Sequence, residues 1–114
     1  MAATAKFVPP GEASLSNATS GTGKAIALND CRQVSWKVTY TSGSAPTAGT
    51  VVIEQYTDPS FAGTWNQLDS ISCANLSAGT EGFGTYPGEV DFVRARITSN
   101  SDQAINVFLN GLLG

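Results

Sequence analysis

Glu89 and Asp91 stand two residues apart on what reads as one strand face, with Arg94 and Arg96 just beyond, in a 114-residue chain that has no histidine. Lacking histidine, the chain lacks the commonest general base and the commonest metal ligand together. Paired carboxylates can cleave glycosidic bonds, but such a pair must flank the bond from facing positions. Glu89 and Asp91 lie side by side near a turn, so they are expected on a charge-laced surface with the two arginines. Cys31 and Cys73 fall short of the four ligands of a structural zinc site. Asp58 beside Pro59 could face a calcium ion, yet no run of oxygen ligands follows at metal-binding spacing, and a solvated turn aspartate is the default. The expectation is a protein with no catalytic residue, no metal site and no cofactor, and therefore not an enzyme.

Composition narrows the partners. A formal net charge of −3 and a pI near 4.6 argue against DNA or RNA, because phosphate neutralisation needs clustered Lys and Arg. Charged residues make up 13% of the chain, against roughly 25% in soluble domains, which suits a β-rich protein that hides part of its surface in an assembly. No stretch reaches the roughly 18 apolar residues that read as a membrane span. The opening residues, MAATAKFVPPG, lack a basic region followed by an apolar core, so no signal peptide is expected and synthesis is expected in the cytoplasm. On that expectation Cys31 and Cys73 are reduced and buried rather than paired, and the sequons at Asn17 and Asn75 are chance matches.

The elements that must position these residues are strands. Val34, Trp36, Val38 and Tyr40 alternate with Gln33, Ser35, Lys37 and Thr39, the cleanest period of two in the chain. Ala25–Leu28 is a short apolar run, 50–56 (TVVIEQY) is β-branched and apolar on both faces, and 64–71 holds Trp65, Leu68 and Ile71. Residues 41–49 read as a long flexible loop, and 73–88 as irregular because glycines interrupt it repeatedly. A final hairpin is expected, with Val93, Ala95 and Ile97 on one face of its first strand and Ile105, Val107 and Leu109 on one face of its second, turned by Asn100-Ser101-Asp102. Residues 1–23 read as an extended N-terminal arm, punctuated by Pro9, Pro10, Gly11, Gly21 and Gly23 and carrying the apolar anchor Phe7-Val8. That arm either folds back on its own domain, residues 24–114, or lies across a neighbouring subunit. About seven short strands with regular turns and no helical periodicity predict an all-β protein, an antiparallel β-sandwich, with a jelly roll among its forms.

If Val93, Ala95 and Ile97 face inward, Phe92 faces outward, and the same logic turns Phe108 away from Ile105, Val107 and Leu109. On adjacent strands the two phenylalanines would form an apolar patch beside Arg94 and Arg96, a composition typical of interface cores. The opposing reading covers them with a loop or the arm of the same chain. Trp36, alternating with valines, is expected in the core. The candidate protein-interface residues are thus Phe7, Val8, Phe92, Arg94, Arg96 and Phe108.

One resemblance spans about residues 50–112. A strand with an acidic residue (Val52 to Glu54) leads into Asp58, Pro59, Gly63, Thr64 and Trp65. A V-R-x-R-I strand follows (Val93, Arg94, Arg96, Ile97), and a last strand ends in Val107, Leu109, Asn110 and Gly111. This arrangement resembles small virion proteins of tailed bacteriophages. The resemblance implies a β-sandwich or jelly-roll protein of the phage particle, a decoration or cement protein on the outer capsid surface, made in the host cytoplasm. Its partner would be the major capsid protein, and dimers or trimers at lattice symmetry points would be expected. A tail- or fibre-associated module that binds host-surface carbohydrate is the alternative. A non-viral adhesion module and a soluble hydrolase rank below both.

Overall fold

The computed structural model describes residues 4–7, 13–28, 31–41, 44–56, 65–79, 82–88 and 91–113. Ten strands form among them: β1 (Thr4–Phe7), β2 (Leu15–Ala18), β3 (Gly21–Thr22), β4 (Ile26–Ala27), β5 (Cys31–Tyr40), β6 (Thr50–Tyr56), β7 (Asn66–Ser72), β8 (Gly82–Tyr86), β9 (Phe92–Ser99) and β10 (Ile105–Leu113). One sheet runs β1-β10-β5-β8, with β2 beside β1 on the same edge of β10; the other runs β3-β9-β6-β7, with β4 beside β3 on the edge of β9. All pairings are antiparallel.

Counting β1 with β2 and β3 with β4 as two broken edge strands leaves four strands in each sheet. The first and second halves of the chain interleave in both sheets, so the sandwich is an eight-stranded jelly roll. The described parts of residues 1–23 run along the edges of both sheets in the same chain, with Thr4 opposite Leu113 and Gly21 opposite Ile97.

Alternation decides the core. Val34, Trp36 and Val38 of β5 and Ile105, Val107 and Leu109 of β10 face Val51, Ile53, Val93, Ala95 and Ile97 across the sandwich, all buried. In β6, whose two apolar faces made its orientation ambiguous, Val51 and Ile53 turn inward. Val52 and Tyr56 are also buried, but they stand outside that core cluster, on the outer face.

Three expectations need correction. β9 and β10 are not a hairpin: they belong to different sheets, and residues 100–104 carry the chain from one to the other. Both strands have the alternation of half-buried strands, and alternation reports which side faces the core but not which strand lies alongside. The glycine-punctuated stretch after Cys73 holds a 3-10 helix, Cys73–Gly79, and then the edge strand β8. Glycine is needed within β8, since a Cβ on Gly84 would come within 2.3 Å of the Trp36 indole on the neighbouring strand. Residues 44–49, read as a flexible loop, are tied down: Pro46 is fully buried, and Asp102 accepts hydrogen bonds from the Thr47 and Ala48 N–H groups and the Thr47 hydroxyl. Asp102 lies far away in sequence, so local composition carried no trace of that anchor.

A seam joins the sheets at the edge where β2 and β3 lie. Ser14 donates its N–H to Val107 in one sheet (2.9 Å), and its Oγ accepts from the Ala95 N–H in the other (2.8 Å) while donating to the Lys24 carbonyl. Cys31 and Cys73 are both buried thiols, not joined in a disulfide. Cys31 opens β5. Cys73 sits by Gly49 and Ser101 near the other end of that strand, nine residues or about 30 Å along. A disulfide requires Cα atoms within about 7 Å. Burial pushes the Cys73 thiol up, with a small opposing effect from the Ser101 hydroxyl.

Candidate functional site

The residues with the most developed geometry lie on the outer face of the β3-β9-β6-β7 sheet. Glu54 follows Ile53 in β6 and therefore points away from the core, opposite Arg94 of β9. Arg94 and Arg96 are two apart on β9, so both side chains rise on the same outer face. Arg94 Nε donates to Glu54 Oε1 at 2.7 Å, and Arg96 donates from Nε to Oε1 (3.2 Å) and from a terminal nitrogen to Oε2 (3.3 Å). The carboxylate side chain is only 4% exposed, the guanidinium-bearing side chains 23% and 40%.

Aromatic rings stand beside the ion cluster on this outer face. The Arg94 guanidinium carbon lies 4.0 Å from the ring centroid of Trp65, and the Trp65 ring stands 5.2 Å from that of Tyr56. Cation–π stacking of this kind strengthens as water is excluded. Burial alone would raise the Glu54 carboxyl, but hydrogen bonds from Arg96 and Arg94, and their charges, outweigh it and hold the group below its ordinary value of 4.5. The arrangement is an ion cluster with a buried carboxylate and partly exposed guanidiniums. A single carboxylate held charged between two arginines has no proton to give near neutral pH, so the cluster fits recognition better than acid–base chemistry.

The opposite face of the molecule is different. Phe108 on β10 is 41% exposed, the only exposed large hydrophobic residue among those described. It lies opposite Lys37 on β5, whose other neighbour in register is Phe83 of β8.

The expected single patch is therefore two patches. Arg94, Arg96 and Phe92 share the outer face of one sheet, and Phe108 occupies the outer face of the other. Phe92 is half-buried, opposite Tyr56 and Ala27. Phe7 lies in β1 opposite Asn110, on the Phe108 strand. Val8, Glu89, Asp58 and Pro59 lie outside the described residues. Glu89, Asp91, Arg94 and Arg96 were expected together on one charge-laced surface. Glu54 holds the two arginines from the adjacent strand. Asp91 immediately precedes β9, with its N–H donating to the Tyr56 carbonyl and its carbonyl accepting from the Leu28 N–H. Among the described residues no three His, Cys, Asp or Glu side chains gather as a metal site would require. No helix among the described residues is long and apolar enough to cross a membrane.

By class, then, the molecule is a jelly-roll sandwich with an arginine–carboxylate–tryptophan cluster on one outer face and an exposed phenylalanine on the other. No protein-family model matches the chain, and no curated protein matches it by sequence. Among solved structures, it superposes on the SPBc2 prophage-derived protein YomS with a TM-score of 0.69 at 11% identity, covering 98% of this chain and 96% of that one. A structure from the Bacillus endospore appendages, described as a novel family of disulfide-linked pili, overlays with a TM-score of 0.40 at 13% identity over 99% of this chain and 88% of that one. At such identity the first likeness establishes a common fold over essentially the whole of both chains.

Proposed function

We propose that this chain is a structural protein of a tailed-phage particle, a decoration or cement protein that binds the major capsid protein on the outer capsid surface and transforms no substrate. The observation that carries the reading is the end-to-end likeness to a prophage-derived protein, on a fold frequent in viral capsids. The phage-like pattern of residues 50–112 supports it independently, because that pattern lies in the sequence itself. A cement protein must bridge neighbours, and two chemically distinct outer faces on one stiff sandwich suit that task. The proposed contacts are Phe108, Phe7 on the neighbouring strand β1, and Val8, with Phe92, Arg94 and Arg96 on the other side. Each contact would have to bury on the order of 1,000 Å² to be specific, and repetition on a lattice would multiply weak contacts by avidity. Assembly as dimers or trimers belongs to the same proposal.

The test is co-sedimentation with empty shells of the major capsid protein encoded in the same genome. Saturable binding that raises the temperature of shell disruption is expected, and Phe108→Asp should weaken it at least tenfold. No binding to shells, together with binding to tails or to an array of host-surface glycans, would replace this reading with that of a tail- or fibre-associated carbohydrate-binding module.

A further inference from the structure

Among the described residues, two arginines and one glutamate leave the outer face of the β3-β9-β6-β7 sheet with one surplus positive charge, in a chain whose net charge is −3. The neighbouring outer-face side chains among the described residues, Thr22, Val52, Tyr56, Gln67 and Phe92, are uncharged, so none of them cancels it. A guanidinium carries a fork of N–H donors. Arg94 commits one of them to Glu54 and Arg96 two, and neither makes another hydrogen bond to the protein among the described residues. The remaining donors of Arg96 point from a side chain that is 40% exposed. Glu54 and the Trp65 ring already hold both guanidiniums in place, so a ligand meets a preorganised fork and little side-chain entropy is lost on binding. Trp, Tyr and Arg are also the residues that dominate protein interfaces.

We propose that this face is a docking site for one carboxylate of a protein partner, an Asp or Glu side chain that pairs with the outward donors of Arg96 and Arg94 beside Trp65. The charge balance selects that ligand. A single surplus positive charge matches a monoanion, whereas a phosphate dianion would meet the Glu54 carboxylate as well. A nucleic acid would meet an acidic protein with only two neighbouring arginines. The inference rests on the reading of the chain as a protein-binding component and names the chemistry its partner must present.

Titration of 15N-labelled protein with the peptide Ac-Gly-Glu-Gly-NH2 tests it, with Ac-Gly-Gln-Gly-NH2 and inorganic phosphate as parallel probes. The Nε–H signals of Arg94 and Arg96 and the indole N–H of Trp65 should move saturably with the glutamate peptide. The response should be at least tenfold weaker with the glutamine peptide and with phosphate. Arg96→Lys, which keeps the charge and loses the fork, should reduce the response severalfold while the backbone amide spectrum stays in place. Arg96→Gln should abolish it. An equal response to the glutamine peptide, a stronger response to phosphate, or no response at about 10 mM peptide, each overturns the proposal. Because no capsid is involved, this experiment can fail while shells still bind, and shells can fail to bind while it succeeds.

Discussion

Glu54 is the residue on which the outer face turns. Its folded-state acidity is strengthened by two arginines in spite of burial. A carboxyl whose folded pKa lies below its unfolded value contributes stability that is fully present above the unfolded value and is lost as pH falls through the folded one. The wild-type protein should therefore lose stability on acidification from about pH 5 downward, and Glu54→Gln should flatten that loss. At pH 7 the substitution leaves two partly exposed arginines facing each other without their counter-ion. Breaking a buried pair costs roughly 3–5 kcal/mol, and the exposure of Arg96 lowers the expectation here to about 1–3 kcal/mol. Urea unfolding of both proteins at pH 7 and pH 3 checks this: the two curves should differ at pH 7 and converge at pH 3. Little of this was legible in the chain. Glu54 lies in TVVIEQY, and a charge amid apolar residues of a strand does signal a partner somewhere, since a buried charge must be paired. Which partner depends on register across β6 and β9, which the order of charges along the chain does not encode. The alternation of Val34 to Tyr40, by contrast, needed no partner to interpret, because one covered face is enough to impose a period of two.

At the scale of elements, the sandwich is held by its facing cores and by Ser14 at one edge. Ser14 lies in a stretch of polar and small residues that reads as part of an arm, yet its backbone and hydroxyl together join β10, β9 and the carbonyl of Lys24. Ser14→Ala retains the backbone bond to Val107 and strands the buried N–H of Ala95. The cost of an unmet buried donor is about 1–3 kcal/mol, so the urea midpoint should fall by an equivalent amount with an unchanged slope. Gly84 is the counterpart in the other sheet half. Its missing side chain leaves room for the Trp36 indole, and the Cβ of Gly84→Ala would have to displace that ring. Overpacking of this kind costs typically 1–3 kcal/mol. The near-ultraviolet circular dichroism of Trp36 should change in this variant while the far-ultraviolet spectrum holds. An unchanged Trp36 signal would mean that β8 shifts away instead. The signal that misled was the glycine itself: in β8 glycine is punctuation for a close approach between strands, and from sequence it is indistinguishable from glycine in a loop.

For the whole molecule, topology decides how the fold can be reached. β10 is the last strand in the chain, and it lies inside its sheet, pairing with β1 and β2 on one side and β5 on the other. β9 has the same role in the second sheet, between β3 with β4 and β6. Each broken edge strand from the start of the chain thus depends on a strand made near its end, with Thr4 opposite Leu113 as the extreme case. Hairpin order would have allowed sheets to grow as the chain advances; the interleaved order does not. Loop-closure entropy must be met before these distant pairings return any free energy, which places all-β sandwiches of this kind among the slower two-state folders, in milliseconds to seconds. Two outcomes follow from one cause. Stopped-flow refolding of the intact chain, followed by Trp36 fluorescence, should show a main phase in that range. A chain ending at Ala104 should show no cooperative urea transition at all, because β1, β2 and β5 lose their shared neighbour and Ile105, Val107 and Leu109 leave the core. Refolding complete within a fraction of a millisecond, or a cooperative transition in the shortened chain, would mean that a smaller unit of the sandwich is stable alone and that its two halves do not depend on each other as the strand order requires.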